Sequence, residues 1–493
     1  MLLLGIDIGT SSIKVSVTDA HTGQSIASGQ FPEDTETGIL MTQPGWAEQS
    51  PELWWRHVQQ AILKANASGA YNPKDIGAIG IAYQMHGLVL VDAQQKVLRD
   101  AIIWCDSRAV QIGDDAARAI GPEKCLQHLL NSPGNFTAAK LAWVKKTEPE
   151  IYNRVHKMML PGDFIAMKLT GEITTSISAL SEGIFWDFKN NDLSDDVFNY
   201  FGFDKKIIPD IRPVFSEHGK VTAAVANTLS LTAGIPVTYK AGDQPNNALS
   251  LNVLEPGEVA ATAGTSGVIY GVSDALTYDP QSRVNTFAHV NHTKDHIRTG
   301  VLLCINGTGI LNRWVKNTFL PSATYQSMND AAATIPEGSE RLKILPFGNG
   351  AERMLGNEIL GAQMHGIDLN LHGQAHIIRA AQEGIAFSFR YGLDIMRENG
   401  MNPKVIRAGK ANLFLSSVFA QAFVDITNTP VELYDCDGSA GAAIGAGLGA
   451  GVYSSAKEAF SNTKRLQLIE PSAATAIYAD LYNEWKRILL KQR

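Results

Sequence analysis

The chain has 493 residues, 45% of them hydrophobic and 18% charged, a composition that folds rather than staying disordered. With 42 basic and 49 acidic residues the net charge is −7 and there is no basic block, so the attraction that drives nucleic-acid binding is missing. The 4 cysteines are too scattered for a disulfide framework or a zinc site, the start lacks the cationic region of a signal peptide, and no apolar run reaches the roughly 18 residues of a membrane span; a cytoplasmic protein is expected.

Leu2 to Ile8 reads as a buried strand, closed by a tight turn at Gly9-Thr10-Ser11-Ser12. Ile13, Val15 and Val17 then alternate with Lys14, Ser16 and Thr18, and Ser25 to Gln30 returns as a third strand, so three antiparallel strands open the chain. Ser50-Pro51-Glu52 predicts a helix start with a hydroxyl cap, and Trp54, Val58, Ala61, Ile62 and Ala65 form one apolar face behind it. Ile76 to Tyr83 predicts a strand ending at Gln84-Met85-His86-Gly87, followed by a hairpin from Leu88 to Val97 around Asp92-Ala93-Gln94-Gln95. Strands, then a helix, then a strand again indicate an α/β protein with mixed sheets flanked by helices.

A second copy of the opening unit lies far downstream. Asp7-Ile8-Gly9-Thr10-Ser11-Ser12 runs on to Val17-Thr18-Asp19, and Thr262-Ala263-Gly264-Thr265-Ser266-Gly267 runs on to Val272-Ser273-Asp274, at a constant separation of 255 residues. Two lobes of like architecture are expected, 1–253 and 254–493, meeting near Leu254-Glu255-Pro256-Gly257.

Turns of Gly, Thr and Ser at strand ends offer backbone N–H groups and hydroxyls to an anion. One such turn per lobe would grip a polyphosphate from both sides, with Asp7 placed to hold Mg²⁺ against it. Asp243, in Ala241-Gly242-Asp243-Gln244 after the apolar stretch Ile235 to Tyr239, is placed to take a proton from a hydroxyl, although a turn aspartate bonding its own backbone is the ordinary local reading. Gln84-Met85-His86-Gly87 and Trp104-Cys105-Asp106-Ser107-Arg108 set polar groups beside Met and Trp, which suits a sugar; a single histidine such as His86 is more often structural, and Asp106 and Arg108 can simply pair with neighbours. In the second half, Val405 to Asn412 is a strand entering a small-residue turn before a helix with Phe419, Ala422 and Phe423, where a base or ribose can lie against backbone. Gly438 to Gly445 predicts a helix whose missing side chains permit close packing or close ligand approach.

In this order and spacing the segments resemble the FGGY family of carbohydrate kinases. The matches are Gly5-Ile6-Asp7-Ile8-Gly9-Thr10, Pro44-Gly45-Trp46-Ala47-Glu48-Gln49, Trp104 to Arg108, Gly242-Asp243-Gln244, Gly264-Thr265-Ser266, Gln382-Glu383-Gly384 and Gly441-Ala442-Ala443. Gln84-Met85-His86-Gly87 is similar to the sugar-binding segment of the xylulose kinases in that family. The resemblance implies two actin-like, ribonuclease-H-like lobes with the active site in the cleft between them. It also implies ATP-dependent phosphorylation of D-xylulose at O5, with MgATP and a small sugar as partners; a homodimer is the candidate assembly, although the sequence itself does not settle the oligomeric state. By position it makes Asp243 the general base, gives Met85, His86, Trp104, Asp106 and Gln244 to the sugar, and puts Asp7 on Mg²⁺. Thr10, Ser11, Ser12, Gly264 and Thr265 then face the phosphates, with Gly409 and Asn412 near adenosine.

The sequence departs from the family at two places. Ala408-Gly409-Lys410-Ala411-Asn412 stands where many relatives have a triple-glycine turn, and Gly350-Ala351-Glu352-Arg353-Met354 is one residue longer before its acid than the family's Gly-Glu-Arg-Thr-Pro, so Glu352 and Arg353 receive no role. A sister kinase for ribulose, a deoxy-ketose or a polyol is the near alternative, and an actin-like ATPase without sugar chemistry is the distant one.

Overall fold

The computed structural model describes residues 1–33 and 38–493. The first sheet is built as expected from its opening alternation: strands Leu2–Ile8, Ile13–Asp19 and Ser25–Phe31 pair antiparallel in turn. Ile76–Tyr83 and then Val237–Gly242 are added on the other side of Leu2–Ile8, both parallel to it. These central strands read as apolar runs because both faces are covered. On one face lies the helix Pro51–Ala67, which buries Trp54, Trp55, Val58, Ala61, Ile62 and Ala65 against the sheet. Pro51 sits in its first turn as predicted, but the Ser50 hydroxyl makes no capping bond; the fixed φ of proline and the extended Ser50 backbone start the helix instead.

The other face is covered by a helix from the far end of the chain. Gly438–Gly449 packs on Leu2–Ile8 and Ile76–Tyr83, so closely that a Cβ on Gly5 would lie 1.7 Å from the Ser439 carbonyl oxygen and one on Gly80 1.9 Å from that of Ala442. Glycine on both strands is what lets backbone meet backbone here. The Ser16 and Ser439 hydroxyls bond across the same contact at 2.7 Å.

The second sheet repeats the first. Val259–Ala263, Gly267–Ser273 and Thr299–Ile305 pair antiparallel, and Ile406–Gly409 and Val431–Tyr434 extend the first of them in parallel. Asn285–Ala288 and Arg465–Ile469 add antiparallel edges. The long helix Gln374–Glu398 fills the core beside it with Ile378, Ala381, Ile385 and Phe389. The two copies of the echo are thus the first hairpins of two sheets with one strand order, differing in turn length: residues 9–12 separate the first pair of strands, residues 264–266 the second. The expected hairpin from Leu88 to Val97 does turn at Asp92, but Val89–Val91 pairs chiefly with Lys157–Met159, which satisfies more of its backbone than the single bridge to Val97. Among the described residues no helix is long and apolar enough to cross a membrane.

Candidate active site

Three parallel strands of the first sheet end together, with Ile8 opposite Tyr83 and Tyr83 opposite Gly242. That register sets Asp7, the segment Gln84–Gly87 and Asp243 side by side at the carboxyl edge of the sheet, the usual place for a ligand in an α/β fold. Asp243 begins the helix Asp243–Ser250 directly after its strand. Burial, and next the charge of Asp7, push its carboxyl up to about 7, against hydrogen bonding from Gln244. Asp7 is itself raised to about 6 by burial and by Asp437, with Lys14 opposing. Like charges in a poorly hydrated corner thus bring both acids nearer to neutrality than an ordinary carboxyl.

Met85 is buried against Gly242, and His86 adopts a left-handed backbone at φ 62. The His86 Nδ1 lies 3.1 Å from the Glu182 carbonyl; a carbonyl only accepts, so Nδ1 carries the proton and Nε2 is left with a free lone pair. Burial holds the ring's pKa down near 3 and the imidazole neutral. An edge contact with Phe136 at 4.9 Å and a tilted one with Phe287 of the second sheet at 5.4 Å frame the ring across the two halves.

The other segment expected near a sugar divides. Trp104 is half exposed at the site, its indole donating to the Thr10 hydroxyl at 2.9 Å. Asp106 is fully buried, and both of its oxygens are engaged, by the Arg108 guanidinium and by the Ala47 amide at 2.6 Å. Arg108 in turn lies 3.8 Å over the Trp46 ring. The structure therefore places Asp106 in the support of this loop, joining Pro44–Gln49 to it, with Gln49 and Gln84 linked to Thr10 behind.

On the other side, Gly264 and Thr265 line a cavity of about 400 Å³ together with Asn312, Asn329, Asn412 and Ser416. A smaller cavity of about 260 Å³ shares Ala263, Gly264 and Asn412 with it, and is lined also by Gly409, Asn247 and Gly438. Gly438 is the bridge to the first half, since a Cβ there would lie 2.4 Å from an Asp7 oxygen. A continuous run of small residues and amides thus leads from the larger cavity to Asp7, and Asn312 contributes a buried amide oxygen without a hydrogen-bond partner among the described residues. Of the nucleotide-side residues predicted, Thr265, Gly264, Gly409 and Asn412 fall together here. Ser11 and Ser12 are partly exposed in the opposite turn, where the Gly9 amide bonds the Ser12 carbonyl at 3.2 Å. The altered turn at Ala408–Asn412 is followed by a short helical turn, Asn412–Leu415, before the helix Ser417–Thr427, with Asn412 taking φ 53 in place of a glycine.

Three ionisable residues support the site in ways the sequence does not show. Lys140 and Glu182 are fully buried behind His86. Glu352, given no role above, is fully buried and accepts the Asn306 and Gly307 amides at 3.1 Å each. The loop it holds leads to Gly309, whose amide bonds the Gly264 carbonyl at 2.9 Å, so Glu352 steadies the second glycine turn through two links.

Comparison with known proteins finds a matching family over most of the chain. The N-terminal domain model of the FGGY family of carbohydrate kinases matches residues 2–250, and the C-terminal domain model matches residues 259–453. A xylulose kinase of Bacillus subtilis is 30% identical, over 92% of this chain and 90% of its own. The crystal structure of a "xyloylose kinase" from Brucella ovis superposes with a TM-score of 0.87 at 25% identity, covering 99% of this chain and 98% of that one. A gluconate kinase from Lactobacillus acidophilus shares the fold equally well, with a TM-score of 0.88 at 22% identity over 99% of this chain and 97% of that one, so the fold by itself does not choose the sugar.

Proposed function

The chain belongs to the FGGY family of carbohydrate kinases, and on that premise we propose that it transfers the γ-phosphoryl group of MgATP to O5 of D-xylulose, giving D-xylulose 5-phosphate and ADP in the cytoplasm. The observation that carries the reading is the shared strand-end position of Asp243, Asp7 and the Met85–His86 turn. The neutral His86 ring offers an acceptor to a sugar hydroxyl, while Met85 and Trp104 cover its C–H faces.

In the reaction, O5 attacks the γ-phosphorus in line. The O5–P bond forms as the bond to the bridging oxygen of ADP breaks, and the hydroxyl proton passes to Asp243. A carboxyl with a pKa near 7 suits this, because it is largely ionised just above neutrality and still basic enough to take a proton. The glycine turns at Gly9–Ser12 and Gly264–Ser266 present N–H groups and hydroxyls to the phosphates, and the cavity beside Asn412 receives adenosine. Asp7 is the residue to hold Mg²⁺. Asp7, Asp243 and Asp437 crowd negative charge together, the condition a hard dication relieves. The described residues contain no group of three acid, His or Cys side chains able to enclose an ion, so phosphate oxygens and water would supply the remaining ligands. When bound, the cation neutralises the β- and γ-phosphate oxygens.

The test is a panel of ketoses and polyols with purified protein and MgATP, read by ADP release. D-Xylulose is expected to give the highest kcat/KM. Rapid turnover of D-ribulose or gluconate with none of D-xylulose refutes the choice of sugar.

A further inference from the structure

His86 occupies a backbone region that a histidine enters only at a cost, and such strain persists only where surrounding groups impose it. Among the described residues, each of its three polar contacts is made by one of two residues. The Lys140 Nζ donates to the His86 carbonyl at 2.9 Å; the His86 amide donates to Glu182 Oε1 at 3.4 Å; and the ring Nδ1 donates to the Glu182 carbonyl at 3.1 Å.

Neither residue has another evident use. Lys140 is completely buried, without a carboxylate in ion-pair range among the described residues, and burial brings its pKa down to about 7. Glu182 is 1% exposed, and burial holds its carboxyl well above the ordinary range. Burying two ionisable groups with so few partners opposes folding unless they serve a local demand. Glu182 also reaches the catalytic strand: a Cβ on Gly242 would lie 2.7 Å from Glu182 Oε2 and 2.7 Å from Met85 Cγ. Its carboxyl therefore fills the space between the sugar turn and the residue before Asp243.

We propose that Lys140 and Glu182 form a positioning pair that holds His86 left-handed and fixes its tautomer, so that Nε2 faces the sugar as an acceptor at a set distance from Asp243. This rests on reading the Met85–His86 turn as the sugar-binding element. Neither residue touches substrate; they act through His86.

The experiment measures KM for the sugar and for ATP separately, using the best substrate from the panel. Lys140→Met and Glu182→Leu are expected to raise the sugar KM about tenfold or more, with the ATP KM within about twofold. Glu182→Gln keeps an acceptor for the His86 amide and is expected to recover most of the affinity. In a His86→Gly background, where the left-handed turn is free and the ring absent, Lys140→Met should add less than about twofold. An undiminished Lys140→Met effect in that background, or equal rises in both KM values, overturns the proposal. Should Lys140→Met not fold, Glu182→Leu against Glu182→Gln in the two backgrounds decides it in the same way. A wild-type enzyme that turns over no sugar would instead remove the functional reading, whereas an active wild type with unaffected variants removes only the positioning pair.

Discussion

Each half of the molecule carries an aspartate where its fifth strand gives way to a helix, and the two are used differently. Asp437 is consumed by its own helix, accepting the amides of Ser439 at 2.8 Å and Ala440 at 3.2 Å. Asp243 enters its helix one position later, with Gly242 at the cap position making no side-chain bond, and is left with a desolvated carboxyl. The preceding strands differ in the same sense. Asp7 has Thr262 as its counterpart in the echo, so only the first half brings an acid to its glycine turn. The two sheets are like frames; one acid placed a residue later, and another present in the first half alone, are what set the proposed catalytic side apart from the proposed nucleotide side.

The largest effect expected from breaking this contrast is in turnover. Asp243→Ala should lower kcat with sugar by about a thousandfold while nucleotide affinity stays within about twofold, as measured by coupled assay and calorimetry. Wild-type turnover in that variant would remove Asp243 from the chemistry.

Next comes pH. The acid limb of kcat/KM for the sugar should have its midpoint at or below about 7, because bound cation only lowers the metal-free value of Asp243. Asp7→Asn removes a like charge and should move that limb to lower pH in whatever activity remains. A limb that stays in place would show that another group sets it.

Stability offers a smaller signal with a definite sign. Asp243 is raised in the folded state, so the native protein binds the extra proton between the ordinary carboxyl value of 3.8 and about 7. Its stabilising protonation is complete below that window and is lost as pH rises through 7. Metal-free Asp243→Asn, which never ionises, should therefore melt above wild type, by a margin that is smallest near pH 4 and widens steadily up to pH 8. The reverse order in a thermal melt would contradict the burial of this acid. Least of all, Asp437→Ala should cost about 1 kcal/mol through the lost cap, seen as a slightly lower melting temperature.

Much of this frame is readable in the sequence. Alternation at Ile13, Val15 and Val17, and the echoed Gly-Thr-Ser turns, mark the first hairpin of each sheet, because period-two burial and tight turns are local properties. Asp243 is legible only through its family setting; by itself it looks like a turn residue. Lys140 and Glu182 are not legible, since they act on His86 backbone groups 54 and 96 residues away and lie in no pattern of their own; Glu352 stands in a recognisable segment, but its bonds to the Asn306 and Gly307 amides do not show in the sequence. Asp106 reads as a candidate for the sugar, yet its oxygens are filled by Arg108 and Ala47, a pairing that depends on a loop 59 residues earlier in the chain.

The contact of Gly5 and Gly80 with the helix Gly438–Gly449 has a consequence for synthesis. On the ribosome, the opening strands emerge hundreds of residues ahead of the segment that roofs them, so a greasy surface waits for its lid until translation is almost complete. A nascent chain stopped near Val253 would hold that surface uncovered, a binding target for chaperones rather than a finished lobe.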